Sequence, residues 1–502
     1  MHIKRSIFTA ILFLTLAFTS VQAQTSSPDE LLSQFEQIIT EEMDFYDVPG
    51  AAVAVISGDE VIYAQGFGLR DVESGDPFTT ETRFRIGSTT KSMTSMLIAQ
   101  LVDEGLLTWD TPVTDILPDF RTADPALTEQ IAVRDLMGMA TGLISQDMTL
   151  FNWQWWDIQD LYDSVATMPI DGEFRNTHFY NNEVYALAGY IATTVSGLEP
   201  TEANYAALLQ SYLFEPIGMD SAISTDDLSQ LGDNYAHSYE PDLLGETGDF
   251  RRMIDPPTAL MAPAGAVWTN IEDMARYVIT QMNGGVTQEG TRIVSEENLA
   301  ETWQPGASVE FGTDDFENVA YAMGWITQTY RGVPMRWHNG GWVGYGTQMA
   351  IFPESDTALI VFSNSSLGGA FNDALVYTFA ELWHGLDVQA VEASRGNFTD
   401  ILSQLNRIRQ YISSEPIDAI RVEPFIGTYE GDWVVDMRDD GSLWVTHGAW
   451  EFQMVYMAML GQYFVINNGA MGTQINFESE GDTINMVIQL GENDFARFAR
   501  VE

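Results

Sequence analysis

The sequence has no cysteine among its 502 residues, which excludes disulfides and thiolate metal sites. It is almost without lysine as well, since Lys4 and Lys91 are the only two. Positive charge is scarce overall: 22 basic residues stand against 72 acidic ones, a formal net charge of −50. A polyanion of that size repels phosphate backbones and anionic headgroups, so nucleic acid and anionic lipid surfaces are excluded as partners. Long apolar runs are missing too. Outside the N-terminal leader no stretch approaches the roughly 20 apolar residues that a membrane-spanning helix needs. Self-repulsion at this charge is relieved by salt or by protonation of carboxylates, so the composition points to a saline or an acidic setting and says little about reaction.

The leader itself has the three parts of a secretory signal: positive charge in Met1 to Arg5, an apolar run from Ser6 to Thr19, and small residues around Val21-Gln22-Ala23. Residues 1–23 are therefore expected to be a removed signal peptide, with the mature chain secreted or periplasmic and not inserted in a membrane. Its loss takes Lys4 and Arg5 away and leaves a net charge of −52.

Lys91 is then the single lysine, and it lies three residues after a serine in Ser88-Thr89-Thr90-Lys91. If Ser88 opens a helix, Lys91 lies nearly one turn on and its nitrogen can reach back to the hydroxyl. A lysine desolvated there loses its proton readily and acts as a base toward the serine. The plain alternative is a helix-capping serine followed by a solvated first-turn lysine.

With 45% hydrophobic and 12% aromatic residues, the chain can bury a real core and is long enough for more than one domain. Helical patterning runs from Asp29 to about Phe45 and stops at Val48-Pro49-Gly50. Ala51 to Ile56 and Val61 to Gly66 read as a hairpin, and Met93 to Val102 as a helix ending near Gly105. Helices and loops dominate from Trp109 to Gly285. Strand-like runs return at Ala322 to Tyr330, Gly346 to Phe352 and Ala358 to Ser363, followed by a helix over Phe371 to Trp383. This is the order of an α/β (α+β) protein whose antiparallel sheet is built from both ends of the domain. A helical connector over 386–421 is expected next, broken by Pro416. Residues 422–502 then alternate short strands with turns and are expected to form a small all-β barrel-like or sandwich domain.

The motifs resemble one family. The stretch from Leu31 to Trp383 is similar to serine β-lactamase-related hydrolases of the class C type, a group that includes D-alanyl-D-alanine carboxypeptidases, D-aminopeptidases and family VIII esterases. The resemblance rests on Phe84-Arg85-Ile86-Gly87-Ser88-Thr89-Thr90-Lys91, Leu107-Thr108-Trp109-Asp110-Thr111-Pro112-Val113 and Ala140-Thr141-Gly142-Leu143. It continues through Phe179-Tyr180-Asn181-Asn182, Phe214-Glu215-Pro216-Ile217-Gly218-Met219 and His338-Asn339-Gly340-Gly341. It implies a β-lactamase/transpeptidase-like domain, an antiparallel sheet flanked by helices, over 24–385, and a lipocalin-like barrel or sandwich behind the connector.

The resemblance also implies roles. Ser88 is the expected nucleophile, Lys91 its base, and Tyr180 the phenol that shuttles a proton between Ser88, Lys91 and the leaving group. Asn182 is expected to hydrogen-bond the acyl part of the substrate. Where lactamases carry a Lys-Thr-Gly strand, this chain reads His338-Asn339-Gly340. Gly340 lets substrate lie against the strand edge, and the N–H of Gly341 would join that of Ser88 as an oxyanion hole. His338 offers a donor without a permanent charge, which favours a D-aminopeptidase or esterase over a true β-lactamase. Two features stay outside that scheme. Phe151-Asn152-Trp153-Gln154-Trp155-Trp156 either shapes an apolar pocket or packs in the core or between domains. His178, His237, His384 and His447 show no metal-ligand spacing, and no metal or other cofactor is expected.

The function expected is that of an exported serine hydrolase forming an acyl-enzyme on a small-molecule or peptide substrate, either an ester or an amide. The alternatives are a non-catalytic binder of cell-wall peptides or small ligands, a true β-lactamase or D-alanyl carboxypeptidase, and a chain whose C-terminal β-domain is the working module. Oligomeric state is open.

Overall fold

The computed structural model describes residues 27–501 apart from 146, 247, 311–312, 413–421, 458–461, 469–472, 482 and 490–494. The expected signal peptide over 1–23 and the expected break at Pro416 lie outside the described residues.

Helix α1 (Pro28–Phe45) starts with a capping box, Ser27 and Glu30 each satisfying the other's backbone N–H. Strands β1 (Gly50–Ser57), β2 (Glu60–Asp71) and β3 (Asp76–Pro77) follow. The helices that matter most for the site are α2 (Thr90–Asp103), α3 (Asn182–Val195) and α4 (Glu296–Glu301). Then come β4 (Phe316–Tyr321), β5 (Ile326–Tyr330), β6 (Val333–Trp342), β7 (Tyr345–Phe352) and β8 (Thr357–Ser363), and helices α5 (Gly368–Trp383) and α6 (Ala390–Ile412). The eight strands form one antiparallel sheet in the order β3-β2-β1-β8-β7-β6-β5-β4, so the N-terminal hairpin lies beside the last strand.

The pattern of residues in β1 and β8 explains how the sheet is buried. Ala52, Ala54 and Ile56, with Ala358, Ile360 and Phe362, face one core; Ala51, Val53 and Val55, with Leu359 and Val361, face the other. A strand covered on both faces reads as a continuous apolar run, which is what these segments are. The first core is filled by the helices inserted between β3 and β4, with α2 at their centre; the second lies under α1, α5 and α6. The sequence reading ran Ala322 to Tyr330 as one strand. The structure breaks it, because 322–325 turn away between β4 and β5 and Gly324 adopts a φ of +77° beside the Lys91 backbone. Short strands within the helical region (Phe84–Arg85, Ile223–Ser224, Val267–Thr269) form a small sheet that the sequence reading did not include.

Helix α6, within the expected connector, packs onto the first domain. Arg395 pairs with the buried Glu42 at 2.5 Å, and Phe398 lies 4.6 Å from the Tyr46 ring. Strands β9 (Gly427–Tyr429), β10 (Trp433–Met437), β11 (Leu443–His447), β12 (Trp450–Met457), β13 (Gln462–Val465), β14 (Gln474–Glu480), β15 (Thr483–Gln489) and β16 (Phe495–Ala499) then form an antiparallel meander in sequence order. A bridge between Tyr429 and Arg500 nearly closes it into a barrel. Its interior is occupied by Trp433, Val435, Val445, Phe452, Met454 and Met486.

The Phe151–Trp156 segment lies at the junction of the two parts. Phe151 inserts edge-on among Trp433, Trp450 and Phe452 at 5.1–5.7 Å. Gln154 Oε1 accepts from Ala449 N at 2.8 Å, and the His447 ring bonds Asn152 at 3.0 Å. This part of the aromatic run is packing between domains.

Candidate active site

The turn that carries Ser88 is placed by glycine. Gly87 has a φ of +51°, and a Cβ there would sit 2.6 Å from the Gly341 nitrogen. A Cβ on Gly340 would lie 2.0 Å from the Ile86 carbonyl oxygen and 3.1 Å from the Ser88 nitrogen. Only hydrogen at both positions lets β6 run hard against residues 86–88, which brings the Gly341 backbone beside Ser88. Ser88 occupies a 3₁₀ turn (Gly87–Thr89) that leads into α2 at Thr90. Lys91 is the second residue of α2 and is completely buried.

Four residues predicted from sequence converge there. Tyr180 Oη donates to Ser88 Oγ at 2.6 Å, and Lys91 Nζ lies 3.0 Å from the same oxygen. Lys91 Nζ also donates to Asn182 Oδ1 at 2.7 Å and to the Ala264 carbonyl at 3.0 Å. All three partners are neutral. With no carboxylate beside it, burial alone holds the Lys91 ammonium well below the usual lysine range. The geometry serves both protonation states. The ammonium donates three hydrogen bonds; the amine keeps those to Asn182 and Ala264 and accepts from the Ser88 hydroxyl.

The Tyr180-Asn181-Asn182 motif is divided in use. Asn181 caps α3 by accepting from Val184 N at 3.0 Å, while Asn182, the first helical residue, holds Lys91. Tyr180 keeps its ring 41% exposed at the cleft, with its hydroxyl turned in toward Ser88. Desolvation pushes the phenol well above its ordinary pKa, so the ring stays neutral with a proton available to donate.

His338 lies elsewhere than a substrate contact requires. It is fully buried, and its Nε2 accepts from the Tyr321 hydroxyl at 2.9 Å while its Nδ1 faces the Asn339 carbonyl. Both nitrogens are thus engaged within the protein, which assigns the Nδ1–H tautomer. Burial first, then the Lys91 charge, lowers its pKa to about 3, so the ring stays neutral. His338 lies behind Tyr180, their ring centres 6.3 Å apart, and contributes no cation. Asn339 and Gly341, on the opposite face of β6, are the exposed members of the motif.

The cleft over Ser88 measures about 530 Å³ and is lined by Tyr180, Asn339, Gly341, Trp342, Ser366 and neighbours, with no arginine, lysine or histidine among the described residues that line it. Trp342 forms part of its wall. Its ring lies 5.3 Å from the Arg85 guanidinium and 6.2 Å from Trp450 of the barrel, and its Nε1 donates to the Pro256 carbonyl at 3.0 Å. Arg85 is itself paired with Asp226 and Asp255 and is not free to meet substrate. No group of acidic, histidine or cysteine side chains among the described residues could hold a metal ion.

Sequence reasoning missed three contributors. The Ala264 carbonyl is backbone in a run of small residues and leaves no side-chain signal. Tyr185, whose hydroxyl donates to the Lys91 carbonyl at 2.6 Å, reads as a core aromatic of α3. Glu183 is an acid in an apolar helix, which could have marked it. It is fully buried and accepts from Ser164 and Trp153 at 2.7 and 3.3 Å, and from Thr149, tying the barrel-contacting segment to the residue beside Asn182.

Residues 35–379 match the family model described as Beta-lactamase. The chain is 27% identical over 411 residues to the unguisins hydrolase ungD of Aspergillus violaceofuscus, a match covering 76% of this chain and 70% of that one. It is 27% identical over 410 residues to penicillin-binding protein 4 of Amycolatopsis lactamdurans, covering 79% and 96%. In fold it is similar to the octameric penicillin-binding protein homologue from Pyrococcus abyssi, with a TM-score of 0.60 at 20% identity over 93% of this chain and 100% of that one.

Proposed function

The chain belongs to the beta-lactamase family, and on that premise we propose that it is an exported serine hydrolase acting through an acyl-enzyme on esters or amides that lack a carboxylate near the scissile bond. The observation that carries the reading is the Ser88–Lys91–Tyr180 triangle, in which a buried lysine without a counter-ion and a neutral phenol share one serine oxygen. The Lys91 amine takes the Ser88 proton as Oγ attacks the carbonyl carbon. The tetrahedral oxyanion faces the backbone N–H groups of Ser88 and Gly341. As the bond to the leaving group breaks, the Tyr180 phenol gives that group its proton and is reprotonated from the Lys91 ammonium. In deacylation water attacks the Ser88 ester, its proton passes to the same pair, and the acid departs with Ser88 restored.

The substrate class follows from charge. β-Lactams and wall peptides ending in D-alanine carry a carboxylate that needs a cationic anchor. The cleft supplies none among its described lining residues, and the net charge of −50 repels such substrates at long range. Short acyl esters and D-aminopeptide amides, neutral or cationic, fit better. Export rests on the leader pattern in residues 1–23.

A panel of nitrophenyl esters, D-amino-acid amides, a chromogenic lactam and a D-Ala-D-Ala peptide, run with a Ser88→Ala control, tests this. Turnover of an ester or amide that vanishes with Ser88→Ala is expected. A lactam or D-Ala-D-Ala peptide turned over faster than every carboxylate-free substrate would overturn the charge argument, and no Ser88-dependent turnover of any substrate would favour a binding protein.

A further inference from the structure

A second groove, about 520 Å³ and as roomy as the catalytic cleft, lies between the turn after α4 and strands β5 and β6. Its lining is mixed: Trp303, Pro305, Pro334 and Pro353 give it an apolar side, Asn318, Thr327 and Thr329 a polar one, and it holds one cation, Arg336, and one carboxylate, Glu354, which does not pair with that cation. The Arg336 guanidinium stacks 4.2 Å over the Trp303 ring. No carboxylate, carbonyl or hydroxyl among the described residues accepts a hydrogen bond from it. Several other guanidinium groups find acceptors: Arg85 pairs with Asp226 and Asp255, Arg331 with Glu381 and Arg395 with Glu42, while Arg83 and Arg292 bond backbone carbonyls. That a half-buried guanidinium stays unpaired in a chain with 72 acidic residues is the anomaly to be explained.

We propose that this groove is a second binding site, separate from the Ser88 cleft, for a carboxylate carried on an apolar or aromatic body. Held flat by Trp303, the guanidinium presents a planar fork of donors that matches a carboxylate in two-point fashion. The tryptophan and the prolines supply apolar surface for the rest of the ligand. A groove that admits the anion pairs it with a half-buried guanidinium from which no described group accepts a hydrogen bond. Two sources share this chemistry: a free acyl acid, which is also what ester or amide hydrolysis releases, and the C-terminus of a peptide ending in an apolar residue. Arg336 lies two residues before His338 on the same face of β6, so occupancy touches the strand that carries the catalytic glycines.

The test is direct binding to the full chain, by calorimetry or tryptophan fluorescence, and its titrations do not depend on the hydrolase reading. N-acetylphenylalanine, its amide, and the peptide Gly-Gly-Phe with a free C-terminus are titrated in turn. The carboxylates are expected to saturate with a Kd on the order of 1 mM, and the amide to bind at least about tenfold more weakly. The stronger of the two acids identifies the natural source. Arg336→Gln is expected to erase the preference for carboxylate over amide while ester turnover stays within about twofold, showing an intact fold and cleft. In the unaltered protein, saturating carboxylate is expected to protect Arg336 from phenylglyoxal, read by peptide mass mapping, a check that needs no variant. The proposal is overturned if acid and amide bind alike, if neither acid saturates, if the preference survives Arg336→Gln, or if Arg336 reacts equally with and without ligand.

Discussion

Removing one oxygen separates the two proton-transfer roles assigned to the site. In Tyr180→Phe the ring remains and the hydroxyl is lost, together with its 2.6 Å bond to Ser88 Oγ. Ser88 keeps Lys91 as a partner, and the position is 41% exposed, so no buried polar group is orphaned. The fold should therefore change in stability by no more than about 1 kcal/mol. The chemical cost depends on the leaving group. An amine or alkoxide must be protonated as it leaves, and loss of a positioned acid is typically worth about 10² to 10⁴ in rate. A nitrophenolate departs as the anion and needs no such proton, so its acylation step should fall by about tenfold or less. The assay is stopped-flow acylation, measured as the burst of nitrophenolate, beside single-turnover cleavage of an amide or alkyl ester with the same acyl group. Equal losses on both substrates would refute the reasoning, since Tyr180 would then serve attack on the carbonyl, as base or as scaffold, rather than departure of the leaving group.

Three other outcomes follow from the same geometry. Burial favours the Lys91 amine over the ammonium, so acylation should rise with pH through a midpoint below the ordinary lysine range; a midpoint near the usual value of about 10.4 would mean that Lys91 is not the base. Gly340→Ala places a methyl 2.0 Å from the Ile86 carbonyl, which should cost about 1–3 kcal/mol and, by shifting the nucleophile turn, about 10²-fold in kcat/KM; wild-type kinetics in that variant would show that the close approach of β6 is not needed. A chain ending at Ile412 should still be acylated by a small serine-directed probe, whereas one ending at Trp383 strips Arg395 from the buried Glu42 and should lose about 3–5 kcal/mol; a folded Ile412-ended chain that resists the probe would place part of the active site in the barrel.

What the sequence revealed and what it hid follow from the physics of each residue. Strands β1 and β8 are continuous apolar runs and could be read because both faces are buried, and α1 because its cap and stop are written in side chains. Ser88, Lys91, Tyr180 and Asn182 were singled out by residue type and motif position, and the structure brings the four into one hydrogen-bonded cluster. His338 was read as a substrate contact, yet its surroundings bury it; residue type alone does not say which face of β6 meets the cleft, and the exposed face carries Asn339 and Gly341. The break at 322–325 escaped a period-two reading because its cause lies more than 200 residues away, at the Lys91 backbone that Gly324 must pass. The Ala264 carbonyl, the third partner of Lys91, belongs to the backbone and has no side-chain signature. The contact of Phe151 with the barrel depends on a domain that begins far downstream.

The central claim is that Ser88 forms a covalent acyl-enzyme. Intact-mass measurement of enzyme quenched with acid during turnover of a nitrophenyl ester, followed by peptide mapping, tests it most directly. The account predicts one acyl group, on Ser88, that accumulates within the burst phase and is absent from Ser88→Ala. Steady turnover with no adduct, or an adduct at another residue that persists in Ser88→Ala, would contradict it.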